Sequence, residues 1–355
     1  MAEDLLTVTP EGLYCPAGGF HIDPWRPVPR ALITHAHGDH ARPGSVSYCT
    51  AEDGVALVKL RVGDGEVTGV GYGEEFAMGD VRVSLHPAGH LLGSAQVRIA
   101  HRGGTWVVSG DYKTTADPTC AAFEPVPCQV FVSESTFGLP IYRWPAPASI
   151  FADIDAWWRV NQDQGRTSVL SAYALGKAQR VLAGIDASIG PLLVHGMVQR
   201  FLPPYQAAGV QLPPTVGVEG TTAVRGRGLV LAPPSAANSP WLRRFGECST
   251  AFASGWMQVR GNRRRRNLDR GFPLSDHADW NGLIGAIRAT GAARVLVTHG
   301  QVPALVRWLR ENGWQADALS TRFDGDMDGE EGLQEAGTAG GASGPLAAVG
   351  EEPAS

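Results

Sequence analysis

His35-Ala36-His37-Gly38-Asp39-His40 puts three imidazoles and a carboxylate into six consecutive residues. Divalent zinc takes imidazole nitrogen and carboxylate oxygen as ligands, and a tight turn that crowds four such side chains is costly unless a metal offsets the crowding. Gly38 supplies the backbone freedom that a turn between ligands needs. Arg30-Ala31-Leu32-Ile33-Thr34, just before it, is a short apolar run that reads as a buried strand. The competing reading is a polar turn whose histidines merely cap a helix.

Working outward, four more apolar, β-rich stretches end in residues of the same chemistry. Val81-Arg82-Val83-Ser84-Leu85 runs into His86-Pro87-Ala88-Gly89-His90, and Thr105-Trp106-Val107-Val108-Ser109-Gly110 delivers Asp111. Gln129-Val130-Phe131-Val132-Ser133 delivers Glu134, and Ala293-Arg294-Val295-Leu296-Val297-Thr298 delivers His299. In open α/β sheets, sites collect beyond the carboxyl ends of strands, so residues far apart in sequence can converge on the hexad.

These segments carry a resemblance. His35-x-His37-x-Asp39-His40, Gly89-His90 and Ser109-Gly110-Asp111 resemble the metallo-β-lactamase fold. Glu134-Ser135-Thr136, Ser275-Asp276-His277-Ala278-Asp279 and Val297-Thr298-His299-Gly300 resemble the three extra motifs of its β-CASP nuclease branch. Over about residues 5–323, including Pro87-Ala88-Gly89-His90-x-Leu92-Gly93-Ser94-Ala95-Gln96, the chain is similar to bacterial ligase-associated DNA exonucleases. The fold implied is an α/β αββα sandwich with an inserted short β-CASP α/β domain. Residues 1–140 and 263–323 would form the sandwich in two parts, and 141–262 the insertion.

By the same likeness His35, His37 and His90 hold one zinc, and Asp39, His40 and His299 the other, with Asp111 bridging. Asp23 matches the first family motif and would orient a ligand or the bridging water. Two zincs about 3.5–4 Å apart suit phosphodiester hydrolysis, activating water at neutral pH and neutralising phosphate oxygens; manganese is an acceptable substitute in vitro. His277 is the candidate acid for the leaving oxygen, with Glu134 orienting its imidazole and raising its pKa. His195 imitates the strand-end pattern but falls in the insertion; it, His21, His86 and His101 take structural readings.

Composition sets the class. The chain has 355 residues, 43% hydrophobic, with ten tryptophans, enough for one large or two modest domains. No apolar stretch reaches the ~20 residues a membrane span needs, and Met1-Ala2-Glu3-Asp4 lacks a basic secretory start. Five scattered cysteines without a C-x-x-C pair point to reduced thiols in a cytoplasm. The formal charge of −5 is uneven: residues 324–355 carry eight acids and no Lys or Arg, leaving 30 basic against 27 acidic residues in 1–323. That tail is too poor in large apolar residues to fold alone and reads as a disordered appendage.

Arg263, Arg264, Arg265 and Arg266 form the most basic run, a few residues before His277, and are the candidate phosphate track, although charge runs are commonly solvated faces. Lys177, at a predicted helix start, is either a second phosphate contact or a solvent-facing lysine. Trp256 could stack a base or belong to the core. Ser149 is read as the cap of a helix with Ile150, Ile154, Trp157 and Trp158 on its apolar face.

The resulting expectation is a zinc-dependent DNA exonuclease acting beside a DNA ligase and a helicase, with no membrane partner. The alternatives are an RNA-processing β-CASP ribonuclease, a small-molecule hydrolase of the same fold, and a non-catalytic binding relative. His299 is a residue the RNA-processing branch keeps, so the motifs alone do not choose DNA.

Overall fold

The structure is a computed structural model that describes residues 4–217, 220–236, 239–259, 261–262 and 268–321. Two sheets face each other across a shared core. The first has six strands in sequential order: β1 (Thr7–Val8), β2 (Leu13–Cys15), β3 (Phe20–Ile22), β4 (Arg30–Leu32), β5 (Ser47–Ala51) and β6 (Glu66–Val70). The second is built from β7 (Phe76–Met78), β8 (Val81–Pro87), β9 (Ala95–His101), β10 (Gly104–Val108) and β11 (Val130–Ser135), continued by β17 (Arg294–Gly300) and β18 (Gln315–Ala318).

Alternation along the strands explains the layering. On β10, Trp106 and Val108 join Phe20, Ile22 and Leu32 in the core between the sheets, while Val107 turns to the opposite face. On β11, Val130 and Val132 face inward and Phe131 outward. Successive side chains point to opposite faces, so strands covered on both sides read as continuous apolar runs. Helices α4 (Trp280–Thr290) and α5 (Val302–Glu311) cover the outer face through Leu283, Ile287, Leu305 and Leu309. Helix α1 (Val55–Val62) sends Leu57 and Val58 into the cluster with Ile33 behind the first sheet. The order helix–sheet–sheet–helix is the mixed α/β sandwich expected.

A third sheet uses only residues between 167 and 272. Its order is β13 (Leu192–Val194), β14 (Leu229–Ala232), β12 (Thr167–Ser171), β15 (Cys248–Ala253), β16 (Arg270–Phe272), all paired in parallel. The sheet runs past residue 262, since β16 hydrogen-bonds to β15. Helix α2 (Pro147–Asp163) packs Ile150, Ile154 and Trp158 against it. Ser149 does not cap α2. Pro147 opens the helix, as a residue with no N–H to satisfy, and the Ser149 hydroxyl donates to the Ala146 carbonyl.

Helix α3 (Lys177–Gly184) follows β12 and leads back over the hexad, where Leu91 and Leu92 share one core with Leu170, Leu175 and Tyr205. Among the described residues no helix is long and apolar enough to cross a membrane. All five cysteines are free thiols. The Arg263–Arg266 run and the 324–355 tail lie outside the described residues.

Candidate metal centre

β10, β11 and β17 are mutually parallel, and β8 runs with them because it is antiparallel to β9. Their carboxyl ends therefore meet along one edge, which is where His90, Asp111, Glu134 and His299 lie. β4, in the facing sheet, brings the hexad to the same edge. Glu134 sits where the pairing of β11 with β17 shifts register between Ser133 and Ser135, an irregularity of the kind that re-aims a side chain.

Hydrogen bonds on the far side of each ring fix which nitrogen is bare. A carbonyl oxygen only accepts, so His90 Nδ1–H donates to the Asp276 carbonyl at 2.9 Å and Nε2 keeps its lone pair. His37 Nε2–H donates to the Leu175 carbonyl at 3.2 Å, which leaves its Nδ1 bare. The Thr34 hydroxyl gives its proton to Asp23 at 2.6 Å and so accepts from His35 Nδ1–H at 3.0 Å, leaving His35 Nε2 bare. That nitrogen is buried and has no hydrogen-bond partner among the described residues.

The bare nitrogens converge. His90 Nε2 and His37 Nδ1 lie 3.1 Å apart, His35 Nε2 is 3.5 Å from Asp111 Oδ2, and ligand atoms of all four residues lie within 4.8 Å of one another. Three lone pairs and a carboxylate aimed at one point repel unless a cation lies among them, so the donor set fits a divalent metal. Burial disfavours the protonated form and holds the His35 pKa well below its ordinary value, with His40 adding to the effect. The His37 pKa falls to about 4, by burial first and then by the neighbouring His90.

A second set adjoins the first through the same carboxylate. His40 Nε2 is 3.6 Å from both Asp39 Oδ2 and Asp111 Oδ2, and His299 Nε2 is 3.0 Å from Asp111 Oδ1. Asp111 Oδ2 thus lies near His35, His90 and His40 and Oδ1 near His299, so the one carboxylate adjoins both sets. Burial opposes a charge on His40, yet Asp39, Asp111 and Asp23 outweigh it and hold its pKa at about 10. Burial would likewise raise the Asp111 pKa, but His40 and His299 hold it well below its ordinary value. This half is looser, with His40 and His299 ring centroids 6.2 Å apart. Asp23 takes His40 Nδ1–H at 2.8 Å and the Thr34 amide at 2.7 Å. Its backbone lies in the left-handed region at φ 44°, where aspartate is among the more tolerant residues.

Beside the cluster His277 Nδ1 lies 2.9 and 3.0 Å from the two Glu134 oxygens. Glu134 is itself held by the Tyr112 amide at 2.9 Å and the Thr136 amide at 3.2 Å. The His277 and His90 ring centroids are 4.7 Å apart. Both His277 and Glu134 are about 1% exposed.

Lys177 does not behave as either sequence reading expects. It is wholly buried, its Nζ lies 2.9 Å from Asp276 Oδ1, and it stands over the Tyr173 ring. A buried ammonium persists only when paired, so this one neither faces solvent nor is open to a phosphate. Trp256 is half-buried and packs on Phe137 and Tyr142. His195 caps a short helix by accepting from the Met197 amide, and His86 lies beside Ser84 and Glu124.

Sequence reasoning missed several supports. Thr34 orients His35, and Thr298 stands in the same relation to His299, with Oγ1 2.9 Å from Nδ1. The Thr-His dipeptide repeated at two strand ends was a legible signal. The Trp144 indole donates to the His277 carbonyl at 2.9 Å, and the Leu175 and Asp276 carbonyls hold His37 and His90. Main-chain acceptors leave no trace in residue type.

No family model matches the chain. It is 32% identical over 311 residues to a protein named Probable DNA ligase from Opitutus terrae, spanning 87% of this chain and 30% of that protein. It is 29% identical over 119 residues to RNase aCSPSF2 from Saccharolobus solfataricus, 32% of this chain and 23% of that one. The chain thus spans less than a third of the length of these curated relatives. A protein of unknown function from Enterococcus faecalis V583 shares the overall fold, with a TM-score of 0.57 at 14% identity, over 82% of this chain and 78% of that one.

Proposed function

We propose that this chain is a metal-dependent nuclease of the β-CASP branch of the metallo-β-lactamase fold, hydrolysing DNA with two zinc ions. The observation that carries this reading is the convergence of three bare imidazole nitrogens and Asp111 on one point, with the Glu134–His277 pair beside it. His35, His37 and His90 would hold one ion, and Asp39, His40 and His299 the other, with Asp111 between them. Bound there, the ions would supply positive charge against phosphate oxygens and lower the pKa of an attacking water.

The chain's own residues do the rest. Asp23 and Thr34 fix the tautomers of His40 and His35. Glu134 fixes His277 through Nδ1, and His277 carries from Nε2 the proton that the leaving oxygen needs. The separate sheet over residues 167–272, with α2 and α3, corresponds in this reading to the β-CASP insertion covering the metal edge.

DNA is favoured because the likeness to the ligase-named protein runs over 87% of this chain. Exonucleolytic action, a DNA ligase and helicase as partners, and a cytoplasmic site complete the proposal. A shorter likeness to a ribonuclease supports RNA as the second reading.

The test is digestion of matched single-stranded DNA and RNA, labelled at either end, by zinc-loaded protein. The expected result is stepwise loss of nucleotides from one DNA end. His277→Gln and Glu134→Gln should lower kcat by roughly 10²–10⁴-fold, the range of a general acid, with zinc content unchanged. Faster RNA cleavage would transfer the assignment to RNA. Hydrolysis of a thioester with neither polymer cut would move it to the small-molecule class.

A further inference from the structure

The geometry points to Lys177 as a positioning residue that, through its buried pair with Asp276, holds the loop aiming His90 and His277 at the metal edge. This rests on the reading of His90 as a ligand and His277 as an acid.

Lys177 is the first residue of α3, and Asp276 immediately precedes His277. The Asp276 carboxylate forms an ion pair with Lys177, Oδ1 to Nζ 2.9 Å, and its main-chain carbonyl accepts His90 Nδ1–H at 2.9 Å. One residue therefore connects a charge on α3 to the tautomer of a ligand. A second contact grips the same loop one turn further along α3. The Arg180 guanidinium donates to the Ser275 carbonyl and lies 2.8 Å from Asp117, which also meets Lys113 at 3.3 Å. Ser275 Oγ in turn accepts the His277 amide at 3.1 Å. From the same side Leu175 orients His37.

The segment that enters α3 thus touches His37 directly, and His90 and His277 through the 275–277 loop. Lys177 and Asp276 are at most 1% exposed. A buried ion pair adds little net stability over apolar packing, so a pair at this place is better accounted for by the geometry it imposes than by stability.

The test compares full-length Lys177→Met and Lys177→Arg with the parent chain. Three quantities are read: cooperative melting, zinc retention against a competing chelator, and the pH profile of cleavage of end-labelled single-stranded DNA. Lys177→Met should fold, hold zinc about 10–100-fold more weakly, as loss of an outer partner does, and shift the pH profile of cleavage. Lys177→Arg keeps the charge and should recover part of both. Parental zinc retention and profile in Lys177→Met, or no recovery in Lys177→Arg, would overturn the assignment.

If Lys177→Met does not fold, Lys177→Met/Asp276→Asn removes both charges and strands neither. Weak zinc retention in this double variant supports the role, and parental retention refutes it. Should the parent cut no nucleic acid, the nuclease reading fails while zinc retention still reports on Lys177.

Discussion

His37 Nδ1 and His90 Nε2 face each other across 3.1 Å with a proton on neither, because each ring spends its N–H on a main-chain carbonyl behind it. Two opposed lone pairs at that separation destabilise the folded chain until a cation lies between them. Metal binding should therefore appear as folding stability, by about 2.7 kcal/mol when free zinc is 100-fold above its Kd. Thermal melting with zinc and with chelator measures this. A midpoint indifferent to both would remove the metal from the site.

Thr34 offers a cleaner test of the tautomer argument than any ligand. Thr34→Val keeps the shape but leaves His35 Nδ1 without the hydroxyl that accepts its proton. The ring can then turn or change tautomer, and zinc affinity should fall by roughly 10–100-fold. Chelator competition reads the affinity, and an unperturbed far-ultraviolet spectrum separates it from unfolding.

Much of this was legible in the sequence, for identifiable reasons. β10, β11 and β17 are buried on both faces, so their apolar runs were unbroken, while β8 alternates with Arg82 exposed; each leads into a polar residue of the candidate site. A shared strand direction then carried His90, Asp111, Glu134 and His299 to one edge. The failures share a cause too. Lys177 and Asp276 lie about a hundred residues apart, and nothing local to Lys177 shows that α3 turns it inward. β16 is three residues long and owes its place in the third sheet to pairing with β15, a contact that no local pattern announces. At Ser149 a favourable cap residue was outweighed by Pro147, which fixes the first turn two residues sooner.

Gly89 should be intolerant of any side chain. Its φ is 74°, and a Cβ there would stand 2.3 Å from the Lys113 carbonyl oxygen and 3.0 Å from the Phe123 amide nitrogen. Both neighbours are main chain and cannot swing aside. The left-handed backbone alone costs a non-glycine residue about 1–2 kcal/mol, and the clash adds to it. Gly89→Ala should lower the melting midpoint and displace His90, the next residue, so that zinc retention falls with stability. Retention equal to the parent in a folded variant would show that the His90 loop is not held by this contact.

Asp117 sets an acid limit on the structure. Burial would raise its pKa, but Arg180 at 2.8 Å and Lys113 at 3.3 Å outweigh burial and hold it below the ordinary aspartate value. The native state therefore binds fewer protons than the unfolded chain in the window between that lowered pKa and about 3.9. The stabilisation is complete above the unfolded value and is lost as pH falls through the native one. Asp117→Asn leaves two buried cations uncompensated, so at neutral pH it should cost about 3–5 kcal/mol. The difference from the parent should shrink as both are acidified, since the parent loses the same carboxylate by protonation. Urea unfolding at a series of pH values measures this. A constant gap from pH 7 down to pH 3 would show that Asp117 is not the group being titrated.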